Sequence, residues 1–149
     1  MISEEELQSK VGYRFPGGEY LLEPYKNWLT NDVVGARNND NDLAHPMFCY
    51  YAALNSMGVS LEELFAIFDA TSEDGVMFGE AEIELKRAMK PGSTYVISGQ
   101  VTAAQRKKSK KLGTFDLVDF ELNIHEDDQL VGISRNSFIF PRELTDASE

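Results

Sequence analysis

One stretch limits the folds open to this chain: His45 to Gly58, HPMFCYYAALNSMG. Met47, Phe48, Tyr50, Tyr51, Ala52, Ala53, Leu54 and Met57 leave no clear polar stripe around a helix. A helix that is apolar on every side must be enclosed by other structure. Pro46 suits a first helical position, where its missing N–H costs no hydrogen bond. Gly58 is placed to end the segment. Four strand-like runs follow, between residues 76 and 141. A buried helix followed by antiparallel strands predicts an α+β fold, with a sheet wrapped around that helix.

The other elements announce themselves locally. A short strand-like run, Tyr20 to Leu22, precedes a helix predicted over Pro24 to Val34 and stopped by Gly35. In that helix Tyr25, Trp28, Leu29 and Asp32 to Val33 fall at i, i+3, i+4 spacing and read as its apolar face. The run RNNDND, residues 37–42, reads as a polar loop. Ser60 and Glu63 have capping-box spacing, and Val59 and Leu64 that of a hydrophobic staple. Within Gly79–Leu85, Ala81, Ile83 and Leu85 alternate with Glu80, Glu82 and Glu84, so one face is predicted buried and one wet. The next strand is placed at Thr94 to Ala103, followed by a basic hairpin. The third sets Val118, Phe120, Leu122 and Ile124 against Asp119, Glu121 and Asn123. His125 and Glu126-Asp127-Asp128 form an exposed hairpin tip, and Leu130 to Phe140 is the last strand. Such short connections favour an antiparallel meander. One domain is expected over 11–142, with residues 1–10 and 143–149 flexible.

Composition narrows the function classes. The 149 residues carry a net charge of −11, which argues against a nucleic-acid surface. No apolar run approaches the roughly 18 residues of a membrane helix, and MISEEELQSK is too acidic for a secretory signal. The single cysteine, Cys49, lies in the apolar stretch. It reads as a reduced, packed residue of a cytoplasmic protein. One segment breaks the acidic trend: Arg106, Lys107, Lys108, Lys110 and Lys111 supply five of the fourteen basic residues.

The order of elements, with LAHPMF at 43–48, FGEAEIELKRAMKPGSTYVISGQV at 78–101 and FDLVDFELNIHEDDQLVGISRNSFIF at 115–140, resembles the MaoC-like dehydratase and (R)-specific enoyl-CoA hydratase family of hot-dog fold proteins, in its N-terminal-domain type. FPGGEY and PYKNWLTND fit the same pattern, so the resemblance spans nearly the whole chain. It implies hydration of trans-2-enoyl thioesters or dehydration of 3-hydroxyacyl thioesters carried on coenzyme A or acyl carrier protein. It implies no metal or redox cofactor, and pairing with a second hot-dog chain as a homodimer or heterodimer. An unpaired sheet edge independently disfavours a monomer.

The resemblance implies an Asp and a His that activate one water, from a motif like G-D-x-N-P-x-H. Three placements are open. Asp32 fits the acid, with Arg37 where the His belongs. Gly35-Ala36-Arg37-Asn38 keeps the Asn alone, with Ala36 for the acid and Asn41 for the His. Asp40 and His45 keep the spacing, but His45 also aligns with the opening of the buried helix. Asp40 and His45 are the leading pair, Asp32 the alternative acid. Solvated acids and a capping His are the competing assignments. The family's backbone oxyanion donor falls at Pro46, which has no N–H, so Met47 N–H is the candidate. The interval before the buried helix is short, which implies a trimmed flap and a wider pocket or a subunit without chemistry of its own. The basic cluster 106–111 is a candidate site for the phosphates of the thioester carrier, against a solvated hairpin tip. A hot-dog thioesterase is less favoured, because residues 45–57 contain no Asp or Glu.

Overall fold

A computed structural model describes residues 1–37 and 42–142. In chain order the elements are α1 (Glu4–Ser9), β1 (Gly18–Leu21), α2 (Pro24–Val34), α3 (Phe48–Asn55), α4 (Leu61–Ile67), a 3-10 turn (Ser72–Asp74), β2 (Met77–Leu85), β3 (Thr94–Ser109), β4 (Gly113–Glu126) and β5 (Gln129–Pro141). The strands form one antiparallel sheet in the order β1-β3-β4-β5-β2, so the expected meander holds for β3-β4-β5 while β2 lies beyond β5 instead of beside β3. Asp127 and Asp128 both take positive φ, 49° and 62°. Such backbone suits the two-residue turn between twisted strands that joins β4 to β5.

Alternation along β4 sends Val118, Phe120, Leu122 and Ile124 into the core. Phe138 of β5 sits among Phe65, Phe78, Phe120 and Phe140. Against this face α3 lays Phe48, Cys49, Ala52 and Ala53. The approach is close: a Cβ on Gly132 would stand 2.9 Å from Cys49 Sγ. The thiol donates to Ile133 O at 3.5 Å, and burial pushes its pKa up to about 11. Cys49 is therefore a packed, unreactive residue.

Four expectations need correction. The apolar helix is shorter than His45–Gly58, and this chain does not enclose it. Tyr51 is 38% exposed, and Tyr50 and Leu54 are half-buried. The sheet covers one side only. The N-terminal residues form a helix instead of fraying. Ser3 and Glu6 make a reciprocal capping box, and Leu7 is fully buried in the common core. Third, α2 has the expected ends, with Gly35 left-handed at φ 69°, but the opposite orientation. Its buried residues are Asn27 and Asn31, whereas Trp28 is 54% and Val33 83% exposed. The inward side of α2 meets the backbone of residues 43–45, whose polar groups need hydrogen-bond partners, and not an apolar surface. Finally, β3 continues through the basic run to Ser109, because Ala104 and Arg106 keep the inward alternation opposite Val118 and Asp116.

The inner face at that end of the sheet is polar but closed. Asp116, fully buried, accepts from Arg106 Nε (2.8 Å) and Nη2 (3.0 Å) and from Arg142 Nε (2.7 Å). Arg106 Nη2 also donates to Ile2 O at 2.7 Å, and Arg142 donates to Asp69 O at 3.0 Å and to Phe68 O at 2.5 Å. The network ties the N-terminus, the end of α4, strands β3 and β4, and Arg142 just after β5 together.

Candidate functional site

The start of α3 is built from three directions. Asn27 of α2 accepts from His45 N at 2.8 Å and donates to Leu43 O at 3.4 Å. Ala44 N donates to Met89 O at 2.8 Å, beyond the end of β2. His45, half-buried, is thus strapped at the backbone. Its Nδ1 accepts from Met47 N at 3.2 Å. A ring nitrogen that accepts carries no proton, so neutral His45 holds its proton on Nε2.

This geometry overturns the Met47 assignment. The Met47 N–H donates to the His45 ring, Phe48 N to His45 O (3.0 Å), Cys49 N to Pro46 O (3.1 Å) and Tyr50 N to Met47 O (3.0 Å). With Pro46 contributing no donor, every amide from Met47 to Tyr50 already has an acceptor. The His45 ring thus satisfies the amide of Met47, the N-cap residue of α3. Only Nε2 remains for chemistry.

Among the described residues no carboxylate is joined to that atom. Asp32 is exposed in the last turn of α2. Among the described residues no hydrogen bond or ion pair joins its side chain to His45. Asp40 lies outside the described residues, as do Asn38 and Asn41. Among the described residues no cluster of His, Cys, Asp and Glu is arranged to hold a metal ion, and no helix is long and apolar enough to cross a membrane.

The basic cluster divides. Arg106 is committed to Asp116 and Ile2, which removes it from the candidate phosphate site. Lys107, Lys108, Lys110 and Lys111 are exposed around the β3–β4 tip. His45 lies near Met89, at the beginning of β3, where Tyr95 Oη accepts from Lys90 N at 2.7 Å. From Tyr95 to Ser109 the strand spans roughly 45 Å. The tip and His45 therefore occupy opposite ends of the sheet and do not form one site within the chain.

Two grooves that the sequence did not announce flank the outer side of α3. One, of about 380 Å³, is lined by Tyr20, Lys26, Leu29, Thr30, Phe48, Tyr51 and Asn55. The other, of about 470 Å³, runs over Tyr50, Tyr51, Leu54, Met57, Val59 and Leu61. Tyr51 and Asn55 border both. Burial raises the Tyr50 pKa above its ordinary value. Sequence reading also missed Asn27. Its signal was the Asn27/Asn31 pair, one helical turn apart, on the face opposite the apolar stripe.

No family model matches the chain, and no curated protein matches it. Solved structures do. The ChsH1-ChsH2 complex from Mycobacterium tuberculosis superposes with a TM-score of 0.71 at 15% identity, over 95% of this chain and 91% of that chain. The C-terminally truncated HadBC (3R-hydroxyacyl-ACP dehydratase) complex, also from M. tuberculosis, gives 0.68 at 12% identity, over 87% and 96%. This is a hot-dog fold. The R-hydratase PhaJ1 from Pseudomonas aeruginosa matches the same hot-dog arrangement with 0.56 at 15% identity, over 93% and 90%. At these identities the likeness establishes the architecture. Two of these three hot-dog structures are complexes of two named chains.

Proposed function

We propose that this hot-dog chain is a MaoC-like, pocket-forming subunit of a cytoplasmic enoyl-thioester hydratase, or 3-hydroxyacyl-thioester dehydratase, completed by a second hot-dog chain. One observation carries the subunit reading: the helix start that resembles the family's site has its amides and His45 Nδ1 satisfied internally, with no carboxylate among the described residues joined to Nε2. The substrate is a thioester of coenzyme A or acyl carrier protein, and the chemistry calls for no metal or redox cofactor. In this reading the partner supplies the Asp and His that activate water, while Tyr51, Leu54 and Leu29 border apolar space for the acyl group. Exposed Lys107, Lys108, Lys110 and Lys111 face a carrier's phosphates only if the assembly brings them to the partner's site. A thioesterase is disfavoured because α3 bears no acid.

The test is loss of conjugated-enoyl absorbance with short and bulky enoyl-CoA substrates. The folded chain alone is expected to be inactive. Its complex with the second hot-dog subunit is expected to turn over and to keep activity in His45→Ala. Turnover by the lone chain that His45→Ala abolishes would make it an autonomous hydratase instead.

A further inference from the structure

The two grooves beside α3 differ in charge. Among the described residues, no charged side chain lines the groove over Tyr50, Leu54 and Leu61. The groove between α2 and α3 has one, Lys26, and no carboxylate. Two of the rings that line it, Tyr20 and Phe48, belong to the buried core, and Leu29 and Tyr51 are partly exposed. At about 380 Å³ it has the size and the mainly apolar lining of a small-molecule site.

Helical spacing brings three polar side chains to this groove besides the tyrosines. Lys26 and Thr30 lie one turn apart on α2, and Asn55 lies one turn beyond Tyr51 on α3. Neither the Thr30 hydroxyl nor the Asn55 amide has a side-chain hydrogen bond among the described residues. Lys26 Nζ stands 5.7 Å from the centroid of the Tyr20 ring, within cation–π reach. It also stands 3.2 Å from Glu23 Oε1, which does not line the groove. That pair is partly exposed at both ends and contributes little. An ammonium has three donors, so Lys26 has donors to spare. The Glu23 bond, more than any other neighbour, holds Lys26 above its ordinary pKa and keeps it cationic. Burial holds Tyr20 above its own ordinary value and keeps the phenol neutral.

These features select the charge and the shape of an occupant. Apolar and aromatic walls take an apolar body. One ammonium matches one negative charge, and the Thr30 and Asn55 side chains add hydrogen-bond donors beside it. Glu23 already shows that Lys26 accepts a carboxylate as its neighbour. A cationic ligand meets repulsion from Lys26, and a neutral one leaves its charge unused. On a chain of net charge −11 an anion is repelled at long range, so its binding depends on such a local cation.

We infer that the groove between α2 and α3 binds an apolar molecule that ends in a carboxylate, with Lys26 as its counter-ion and Thr30 and Asn55 as hydrogen-bond donors. The carboxylate belongs either to a free acid or to the far end of a dicarboxylic acyl thioester. The second source rests on the proposed reading that this groove takes the acyl group. The site itself does not, because its test reads binding to the lone chain and not turnover.

The experiment is an NMR amide-shift titration of the full chain, near neutral pH in low salt. One pair of probes is octanoate and octan-1-ol. The other is suberoyl-CoA, whose acyl group ends in a carboxylate, and octanoyl-CoA. In at least one pair the carboxylate is expected to bind at least about tenfold more tightly, as for a hydrogen bond to a charged group. The shifts should fall on α2 and the last turn of α3. Lys26→Met keeps the apolar stem and should abolish the preference, whereas Lys26→Arg should retain it. A Lys26-dependent preference for octanoate alone assigns the free acid, and one for suberoyl-CoA assigns the dicarboxylic thioester. If octanoate binds in this way and neither thioester binds, the acyl reading of the groove fails and the site stands. No carboxylate preference in either pair, a preference that survives Lys26→Met, or shifts confined to the lysine hairpin overturns the inference. If Lys26→Met does not fold, Lys26→Gln replaces it with the same outcomes required.

Discussion

The β3–β4 hairpin end of this molecule and the α2–α3–β2 flank handle exposed chemistry in opposite ways. At the hairpin end the chain closes on itself: buried Asp116 lies between two guanidiniums that also hold Ile2, Phe68 and Asp69 by their carbonyls. On the flank, aromatic residues of two helices face outward and a nine-residue edge strand pairs on one side only. The hairpin end is what a finished monomer shows everywhere. The flank has an apolar outer surface and a free edge, the features that the proposed second chain would cover.

The contrast is sharpest in substitutions of matching chemistry. Asp116→Ala leaves Arg142, whose side chain is 4% exposed, as an uncompensated buried charge. Its expected cost is about 3–5 kcal/mol in urea unfolding. Arg135→Ala, also within a network of carboxylates but 38% exposed, is expected to cost far less in the same measurement, because solvent screens exposed ion pairs. Equal costs would erase the distinction between closed and open ends. Asn27→Ala falls between them. It strips the acceptor from His45 N and the donor from Leu43 O, for about 1–3 kcal/mol in the same measurement.

On the flank itself, Trp28→Ala is expected to stay within about 0.5 kcal/mol of the wild type in the lone chain, because its outward side chain has little of this chain to lose. A large loss would mean that α2 packs inward in solution. The smallest effect concerns pH. Because the native pKa of Asp119 is raised above its ordinary 3.8 by burial and then by Glu80, the ionised carboxylate destabilises the fold. That penalty is complete above the raised native value and fades as pH falls through it toward 3.8. Asp119→Asn should therefore melt about 1–2 °C higher at pH 7. The gain should vanish in acid below the ordinary value. A gain independent of pH would assign the effect to packing.

Much of the fold was legible because its signals are local. The bounds of α2 follow from Pro24 and Gly35, the start of α4 from Ser60, and β4 from strict alternation. What failed required knowing what lay opposite. Periodicity found the stripe on α2 but not that its other face would meet the hungry backbone of residues 43–45. A run of lysines ended β3 on paper, whereas Arg106 continues it because Asp116, ten residues later, stands across the ladder. Leu7 alone could not announce a buried helix without the sheet it lies on. At the candidate site the sequence placed His45 at the helix start. The contact that redefines its role, Met47 N–H to Nδ1, depends on a turn geometry that spacing does not encode.

Amide hydrogen exchange along β2 tests the central claim most directly, that this chain finishes one end of itself and leaves one flank for a partner. In the lone chain at micromolar concentration, alternate amides of β2 should exchange orders of magnitude faster than those of β4, because they point away from β5 and have no acceptor. Adding the second hot-dog chain should slow those same amides. Protection of β2 in the lone chain as uniform and as strong as that of β4 would contradict the account, because the edge would already be covered.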